Sequence, residues 1–363
     1  MTSRSDGLTN IGWFSRRDLP SLKNSIMHPP DFLHKGAETK LCEHYIAAGA
    51  VCSLLTNSEQ VLDAARNTFC VAESLPGPAD FRLRFWVDNN DPSRAPWPKP
   101  YVRGLDHLVF AGFDEGSSML ADLRTCRVIG RFSAGMAADT AYWKTVIFPM
   151  LLSILAGSVG LVELHASCVA KDQRGLVLIG PSGSGKSTLA MAMTEAGFSF
   201  LSDDRIFCSH KEGRLSAWGM PRPLKLRREA AAWFEQFRDR QTNGVQDGEL
   251  VFHCEPNEQF GRQRVLECEP SLLVFLERRP SPGFRLTQMT HSEARHRIEL
   301  DLLGEVPEAV QKQAETIDKL LAGPCWRLQY GGRPQVIAEK LARHAGTTLN
   351  SSSKVRQHGA LCK

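Results

Sequence analysis

One nine-residue run, residues 180–188, constrains the fold more than any other part of the chain. It reads Gly-Pro-Ser-Gly-Ser-Gly-Lys-Ser-Thr and matches the complete phosphate-binding loop pattern. The apolar run 176–179 before it is typical of a buried strand, and the run 189–193 after it is typical of a helix. The sequence therefore predicts strand, loop and helix in that order. The alternative is a glycine-rich turn that carries a lysine by chance.

In a loop of this kind, glycines let successive backbone N–H groups point toward an anion, and the helix N-terminus adds its positive end. Lys186 would then neutralise the β- and γ-phosphates, and the Ser187 hydroxyl would complete the shell of a magnesium ion. The residues expected to bind the nucleotide are Gly180, Pro181, Ser182, Gly183, Ser184, Gly185, Lys186, Ser187 and Thr188.

Composition indicates a globular chain of one or two domains. Of its 363 residues, 42% are hydrophobic and 23% are charged, so a sizeable core can be buried. A net charge of +4 gives no support for nucleic-acid binding. Ten cysteines without C-x-x-C spacing argue against a zinc site and fit a reducing compartment. The polar N-terminus has no apolar signal segment, so we expect a cytoplasmic protein.

The stretch 145–162 contains no charged residue, and its length is borderline for a membrane span. Pro149 near its start and Gly157 and Gly160 in its second half interrupt it. We predict a buried helix over 149–156 that runs into a strand, and no membrane span. A transmembrane helix remains the alternative.

Four parts are expected along the chain. Residues 1–40 form an irregular arm, and residues 41–135, with short apolar runs separated by turn residues, form a small β-rich domain. Residues 136–345 hold the phosphate loop, and residues 346–363 form a disordered tail. Within the third part, a strand over 161–170 is expected to pair antiparallel with the strand that enters the loop.

Two adjacent carboxylates, Asp203 and Asp204, end the next predicted strand beyond the loop helix. Beside bound phosphates, one carboxylate can hold magnesium and the other can accept a proton from an attacking hydroxyl. His165, on the predicted strand before the loop, can orient that base or share its proton. The alternatives are a solvated turn for the aspartates and a satisfied core histidine for His165.

Two common classes of phosphate-loop protein do not fit. Transporter ATPases need a downstream Ser-Gly-Gly-Gln signature and a strand ending in Asp-Glu, and neither is present in the sequence. Guanylate-kinase-like enzymes usually begin with the loop, whereas here it lies in the middle of the chain.

Three pieces together, Leu-His-Ala around His165, the loop 180–188 and Leu-Ser-Asp-Asp-Arg at 201–205, resemble the catalytic domain of the HPr kinase/phosphorylase family of bacterial serine kinases. The likeness is specific over 165–207 and diffuse from there to about residue 345. It implies an α/β fold: a P-loop kinase domain of the HPr kinase type, a sheet flanked by helices. The residue pattern before it predicts an N-terminal α+β, β-rich domain.

The resemblance also implies roles for the site residues. Lys186 and Ser187 would bind ATP and Mg²⁺, Asp203 would accept the proton with the help of His165, and Asp204 would lie near the metal together with Ser187. It further implies a homo-oligomer.

The sequence departs from the family at Thr188, where Glu is usual, and at Ala166, where Gly is usual. The family's substrate loop cannot be found, and the N-terminal half differs from the usual regulatory domain. We therefore expect an ATP- and Mg²⁺-dependent kinase that phosphorylates a serine of a small protein or peptide, for example a ribosomal peptide precursor such as a lasso peptide precursor. The alternatives are a non-catalytic ATP-binding sensor or assembly module, and a kinase of small-molecule hydroxyls.

A proline-marked basic segment follows the two aspartates. Its side chains are expected either to clamp a phosphate or an acidic peptide, or to form a solvated edge: Arg222, Lys225, Arg227 and Arg228.

Overall fold

The computed structural model describes residues 39–72, 77–91, 93–246, 249–262, 264–299 and 307–359. These residues belong to one compact unit. The predicted N-terminal arm, 1–40, lies outside the described residues except for its last two positions.

An eight-stranded sheet fills the first part of the described chain, in the order β3-β1-β2-β4-β8-β7-β6-β5. Strands β2, β4 and β8 run parallel, and the other neighbours are antiparallel. The elements are β1 (Leu41–Ala47), β2 (Ala50–Thr56), α1 (Glu59–Arg66), β3 (Cys70–Val71), β4 (Phe81–Asp88), β5 (Tyr101–Leu105), β6 (Leu108–Gly112), β7 (Ser118–Asp122) and β8 (Arg127–Ser133).

A helical run follows and closes one face of this sheet. It consists of α2 (Ala134–Ala138), α3 (Thr140–Tyr142), a π-helical turn (Trp143–Ile147), α4 (Phe148–Ala156) and a 3₁₀ turn (Gly157–Val159). Trp143 and Phe148 of this run are fully buried in one core with Phe85 and Phe132 of the sheet. The predicted helix over 149–156 is confirmed. By length and composition alone, the run Thr140–Val159 is also long and apolar enough to cross a membrane.

The second large sheet follows the order β12-β10-β11-β18-β14-β13-β9, and β18 also pairs with β20, which pairs with β19. Strands β11, β18 and β20 are parallel, whereas β10 and β11 form the predicted antiparallel pair. A small sheet has the order β15-β17-β16. The strands are β9 (Val162–Leu164), β10 (Ala166–Lys171), β11 (Arg174–Ile179), β12 (Ser199–Ser202), β13 (Ile206–Lys211), β14 (Arg214–Gly219), β15 (Leu224–Arg227), β16 (Gly244–Gln246), β17 (Glu249–Cys254), β18 (Glu267–Arg278), β19 (Gly283–Gln288) and β20 (Cys325–Gly331).

Helices cover both faces of the second sheet. One core holds side chains of α5 and α10, and another holds side chains of α8 and α9, on opposite sides of β11 and β18. The molecule is therefore a mixed α/β protein whose large sheets are flanked by helices. The helices are α5 (Lys186–Glu195), α6 (Arg228–Ala231), α7 (Pro256–Gln259), α8 (His291–Glu299), α9 (Pro307–Leu321) and α10 (Pro334–Gly359), with a further 3₁₀ turn at Glu235–Phe237.

Two segments differ from their sequence prediction. The single strand predicted over 161–170 is two strands, because β9 pairs with β13 whereas β10 pairs with β11 and β12. The chain thus changes partners at His165. Helix α10 runs through Gly359, where composition indicated disorder over 346–363. The polar composition of this segment indicated that it cannot pack on a core. It contains no proline after the first position of α10, however, so the helix can continue. Residues 360–363 lie outside the described residues.

Candidate active site

The phosphate-loop residues connect β11 to α5, so strand, loop and helix follow in the predicted order. Gly183 and Gly185 have φ values of +78° and +91°, in the left-handed region that favours glycine. Lys186 folds back over the loop, and its Nζ donates to the carbonyl oxygens of Gly180 at 2.7 Å and Pro181 at 3.3 Å. The first N–H groups of α5 have no partner within the helix, which makes this end suited to an anion.

Tyr330, near the end of β20, holds the phosphate loop in place through a hydrogen bond to its backbone. Its hydroxyl donates to the carbonyl oxygen of Ser184 at 2.5 Å, and burial raises the pKa of Tyr330 to about 12. A Cβ atom on Gly185 would lie 2.2 Å from the Tyr330 hydroxyl oxygen. Gly185 is thus required by its backbone conformation and also by its neighbour. Tyr330 was not predicted from the sequence, because the loop pattern contains no signal for a residue so far along the chain.

Asp203 lies beside the loop helix. Its Oδ1 accepts hydrogen bonds from Ser187 Oγ at 2.9 Å and from Ser167 Oγ at 2.5 Å, and its Oδ2 accepts from the backbone N–H of Lys225 at 3.4 Å. Desolvation by burial raises the pKa of Asp203, and the nearby charge of Asp204 adds to this, whereas the two serine hydrogen bonds oppose it. Ser167, on β10, is a further site residue that sequence reasoning did not find.

Asp204 faces His165 instead. Its Oδ1 lies 3.0 Å from His165 Nε2, and this hydrogen bond is the main reason that the pKa of Asp204 is lowered to about 2. Both side chains are about half exposed. Asp204 has a φ of +71°, and the N–H of Arg205 donates to the carbonyl oxygen of Asp203 at 2.9 Å. The three residues form a tight turn of a strained type, which directs the two neighbouring carboxylates to different partners.

This pairing differs from the one that the resemblance implied. There, His165 assisted Asp203, and Asp204 lay near the metal with Ser187. In the structure, Ser187 contacts Asp203, and His165 contacts Asp204. Sequence order cannot distinguish two adjacent aspartates, because a left-handed residue in the turn decides which side each carboxylate faces.

His165 lies at the break between β9 and β10, not within a strand. The break leaves its side chain 49% exposed, whereas the residues on both sides of it are buried. A satisfied core histidine is therefore excluded. His165 lines two cavities, one on each side of the loop.

The first of these cavities has a volume of about 670 Å³ and joins the predicted groups. It is lined by His165, both aspartates and residues 182, 183 and 185–188 of the loop. Its other wall contains Ala230, Val251 and the indole of Trp233, which is 42% exposed. The second cavity, of about 730 Å³, is lined by residues 180–184 of the loop together with Arg278 and Arg297.

The four side chains of the basic segment, 222–228, lie on different surfaces. Lys225 and Arg227 line the first cavity. Arg222 lies near Asp204 and Asp203, whose charges partly offset the burial that lowers the pKa of its guanidinium. Arg228 is exposed and lines none of the cavities around the loop. After this segment the chain forms the short helix α6 and a 3₁₀ turn.

The donor set of the site fits magnesium bound with a polyphosphate. Within the described ranges, no group of three or more His, Cys, Asp or Glu side chains is arranged to hold a metal by itself. Magnesium is usually bound by one or two protein oxygens and by substrate phosphates, and the Ser187 and Asp203 oxygens supply such a pair. The Ser184 hydroxyl is buried without a hydrogen-bond partner, as expected of a group beside an anion site.

Comparisons with known proteins add little. No protein-family model matches the chain, and no curated protein matches it. One solved structure that matches is the HPr(Ser) kinase/phosphatase from Coxiella burnetii, at 15% identity and a TM-score of 0.28. The match covers 54% of this chain and 98% of that chain. A likeness at this TM-score establishes neither a shared fold nor a shared activity.

Proposed function

We propose that the protein is an ATP- and Mg²⁺-dependent kinase that transfers the γ-phosphoryl group to a serine hydroxyl of a small protein or peptide. The observation that carries the proposal is one cavity lined by the phosphate loop, by Asp203 bound to Ser187 and by Asp204 bound to His165. A phosphate site, a pair of metal ligands and a proton acceptor are the parts that phosphoryl transfer requires.

The phosphate loop and Lys186 bind the phosphates of ATP in this proposal. Lys186 is released from the carbonyl oxygens of Gly180 and Pro181 when phosphate oxygens replace them. Ser187 and Asp203 hold magnesium, which when bound neutralises charge on the phosphates. Desolvation of Asp203 favours this role, because a carboxylate that is poorly solvated gains more from a cation than a solvated one does.

His165 and Asp204 receive the proton of the acceptor. The serine oxygen forms a bond to the γ-phosphorus, the bond from that phosphorus to the bridging oxygen of ADP breaks, and the serine proton passes to the pair. Asp204 stays ionised at neutral pH because its pKa is about 2, so it orients the imidazole and stabilises its charged form. This assignment replaces the one implied by the resemblance, in which Asp203 was the base and Asp204 the metal ligand.

A non-catalytic ATP-binding module would need the loop but not a histidine held by a second carboxylate. The exposed His165–Asp204 pair therefore favours the kinase over the sensor. A kinase of small-molecule hydroxyls remains a second candidate for the same site. We further propose a cytoplasmic location and a homo-oligomer.

The test is to incubate purified protein with γ-labelled ATP and Mg²⁺ and to measure transfer of label to two sets of acceptors. One set is a degenerate serine peptide library, and the other is a panel of small alcohols. We expect label on peptide serine, loss of transfer in Lys186→Ala, and wild-type transfer in the matched control Lys319→Ala, which lies on the exposed side of α9. ATP binding without transfer to any acceptor would support the sensor. Transfer only to small alcohols would identify the other class of kinase.

A further inference from the structure

A groove meets the candidate active site at Asp204. It has a volume of about 620 Å³ and is bounded on one side by the helical run and on the other by Val109 of β6 and Leu123. Asp204 lines both this groove and the cavity of the phosphate loop. We call it the helix groove.

The helical run presents one continuous face to the groove. The lining positions recur at the spacing of a single helix face and are Thr145, Val146, Pro149, Met150, Ser153, Ile154, Gly157 and Ser158. At the helical rise of 1.5 Å per residue, this face is about 20 Å long. A helix face that meets only water normally carries charged side chains, and this one carries none. Its apolar side chains, Val146, Pro149, Met150 and Ile154, offer contacts to an uncharged partner.

The charged side chains that line the helix groove come from the segment around Asp204 and from Arg222, not from the helical run. Among its lining residues only Asp204, Arg205 and Arg222 are charged. Arg205 is held in place by an ion pair with Glu163 and by a hydrogen bond to Ser153 Oγ at 2.6 Å, which connects the turn of the two aspartates to α4. The groove therefore has an uncharged wall on the helical run and charged groups where it meets the candidate active site.

We infer that the helix groove binds the acceptor as an extended peptide, with aliphatic or aromatic residues beside the serine that is phosphorylated. The inference rests on the proposed function, and it names the substrate class of that site. Because Asp204 belongs to both cavities, a peptide in the groove brings its serine hydroxyl to the His165–Asp204 pair while the nucleotide occupies the other side. At about 3.3 Å per residue, the 20 Å face accommodates about six extended residues.

Two other occupants fit less well. A small alcohol would leave most of a 20 Å groove empty, since sites for small ligands usually enclose them. A membrane surface is flat, and the second wall formed by Val109 and Leu123 makes this face concave. The absence of charge on the helix face also favours apolar residues over the acidic peptide that the basic segment suggested.

A matched pair of variants tests the inference. Val146→Lys places a charge in the groove at a side chain that is not among those packed on the buried core. Val310→Lys makes the same change on the exposed side of α9, outside the helix groove and the loop cavity. Each protein is assayed for binding of a fluorescent ATP analogue, and for transfer of label from ATP to peptides with one fixed serine and degenerate flanking positions.

We expect the wild type and Val310→Lys to prefer aliphatic or aromatic over charged residues by about tenfold at two or more positions, the gain from burying about one apolar side chain. In Val146→Lys the preference is lost, and kcat/KM for a selected peptide falls by about tenfold. If the wild type binds nucleotide and phosphorylates peptides without preferring apolar residues, the proposed role of the groove is wrong but the proposed kinase activity is not. Failure of the wild type to bind nucleotide would contradict the proposed function itself.

Two further results overturn the inference. One is label that appears on residues 1–38 of the protein and on no added peptide, since the occupant would then be its own N-terminal segment. The other is cosedimentation with phosphatidylglycerol vesicles that Val146→Lys abolishes and Val310→Lys does not, since the face would then bind a membrane.

Discussion

His165 Nε2 lies 3.0 Å from Asp204 Oδ1, while the preceding carboxylate, Asp203, accepts hydrogen bonds from Ser167 and Ser187. Two consecutive aspartates thus belong to two different networks. The left-handed conformation of Asp204 separates them, at a cost on the order of 1–3 kcal/mol for such a conformation in a residue other than glycine. The turn directs the carboxylate of Asp203 to Ser187 of the loop helix and that of Asp204 to His165.

The two aspartates are expected to fail in different ways when changed to asparagine. Asp203→Asn weakens the metal site, so the Mg²⁺ concentration for half-maximal transfer rises by at least about tenfold. Asp204→Asn leaves that concentration unchanged and lowers kcat by on the order of 10²- to 10⁴-fold, because the imidazole loses the anion that stabilises its charged form. Transfer rates measured across a Mg²⁺ titration distinguish the two effects. If the two variants exchange these phenotypes, the roles are those implied by the resemblance and not those proposed from the contacts.

Asp203 and Asp204 are also expected to have opposite effects on the pH dependence of protein stability. The pKa of Asp203 is raised in the folded state, so the folded protein binds this proton more tightly than the unfolded chain, and the free energy of unfolding falls as pH rises through the raised value. The penalty grows as the pH rises above the ordinary pKa of 3.8, so at pH 7 Asp203→Asn is expected to be more stable than the wild type. At pH 3 this advantage disappears. Urea unfolding at the two pH values measures it, and a less stable Asp203→Asn at pH 7 would mean that the serine hydrogen bonds outweigh desolvation.

For Asp204 the sign reverses. Its folded-state pKa of about 2 lies below the ordinary value of 3.8, so its stabilisation is present above pH 4 and is lost as pH falls toward 2. Asp204→Asn is therefore expected to be less stable than the wild type at pH 7, with a difference that shrinks at pH 3. Asparagine tolerates the left-handed conformation, so the comparison isolates the charge. A difference between the two proteins that does not depend on pH would show that folding does not favour the ionised form of Asp204.

How much of the site the sequence predicts depends on how local each part is. The phosphate loop, its strand and its helix are contiguous, and their order follows from the residues alone. Tyr330, Ser167 and Trp233 approach the loop from other elements, and neither motif nor periodicity marks them. The break at His165 was missed because both flanking strands are apolar, and only the pairing of each with a different neighbour reveals it. The division at 135/136 and the oligomeric state stay predictions.

Gly185 and Gly183 offer a test of how the loop is held. Both have positive φ, so alanine at either position is expected to cost about 1–2 kcal/mol in backbone strain. Only at Gly185 does the added methyl group meet another atom, the Tyr330 hydroxyl at 2.2 Å, whereas at Gly183 nothing lies within 4 Å. Gly185→Ala is therefore expected to lower both the melting temperature and ATP affinity more than Gly183→Ala does.

Tyr330→Phe should rescue Gly185→Ala in part. Removal of the hydroxyl leaves the ring carbon Cζ at 3.5 Å from the new methyl group, which is an ordinary contact. Tyr330→Phe alone costs about 0.5–1.5 kcal/mol, because the hydrogen bond to Ser184 is lost. The double variant is thus expected to be at least about 1 kcal/mol more stable than the sum of the single changes predicts. Thermal unfolding of the four proteins gives this coupling, and strict additivity would show that the loop moves away from Tyr330 instead.

Trp233 is expected to bind the base of the nucleotide. Its indole is 42% exposed in the wall of the loop cavity, beside the apolar side chains of Ala230 and Val251, and an exposed indole there offers a stacking surface. Trp233→Ala should weaken ATP binding by about 1–3 kcal/mol, which is the cost of losing one base–aromatic stack, and Trp233→Phe should keep most of the affinity. Inorganic triphosphate has no base to stack, so its affinity should be the same in all three proteins. Calorimetric titration with both ligands provides the comparison. If the affinities for ATP and triphosphate fall equally, Trp233 stabilises the loop and does not bind the base. If neither affinity falls, Trp233 does not belong to the nucleotide site.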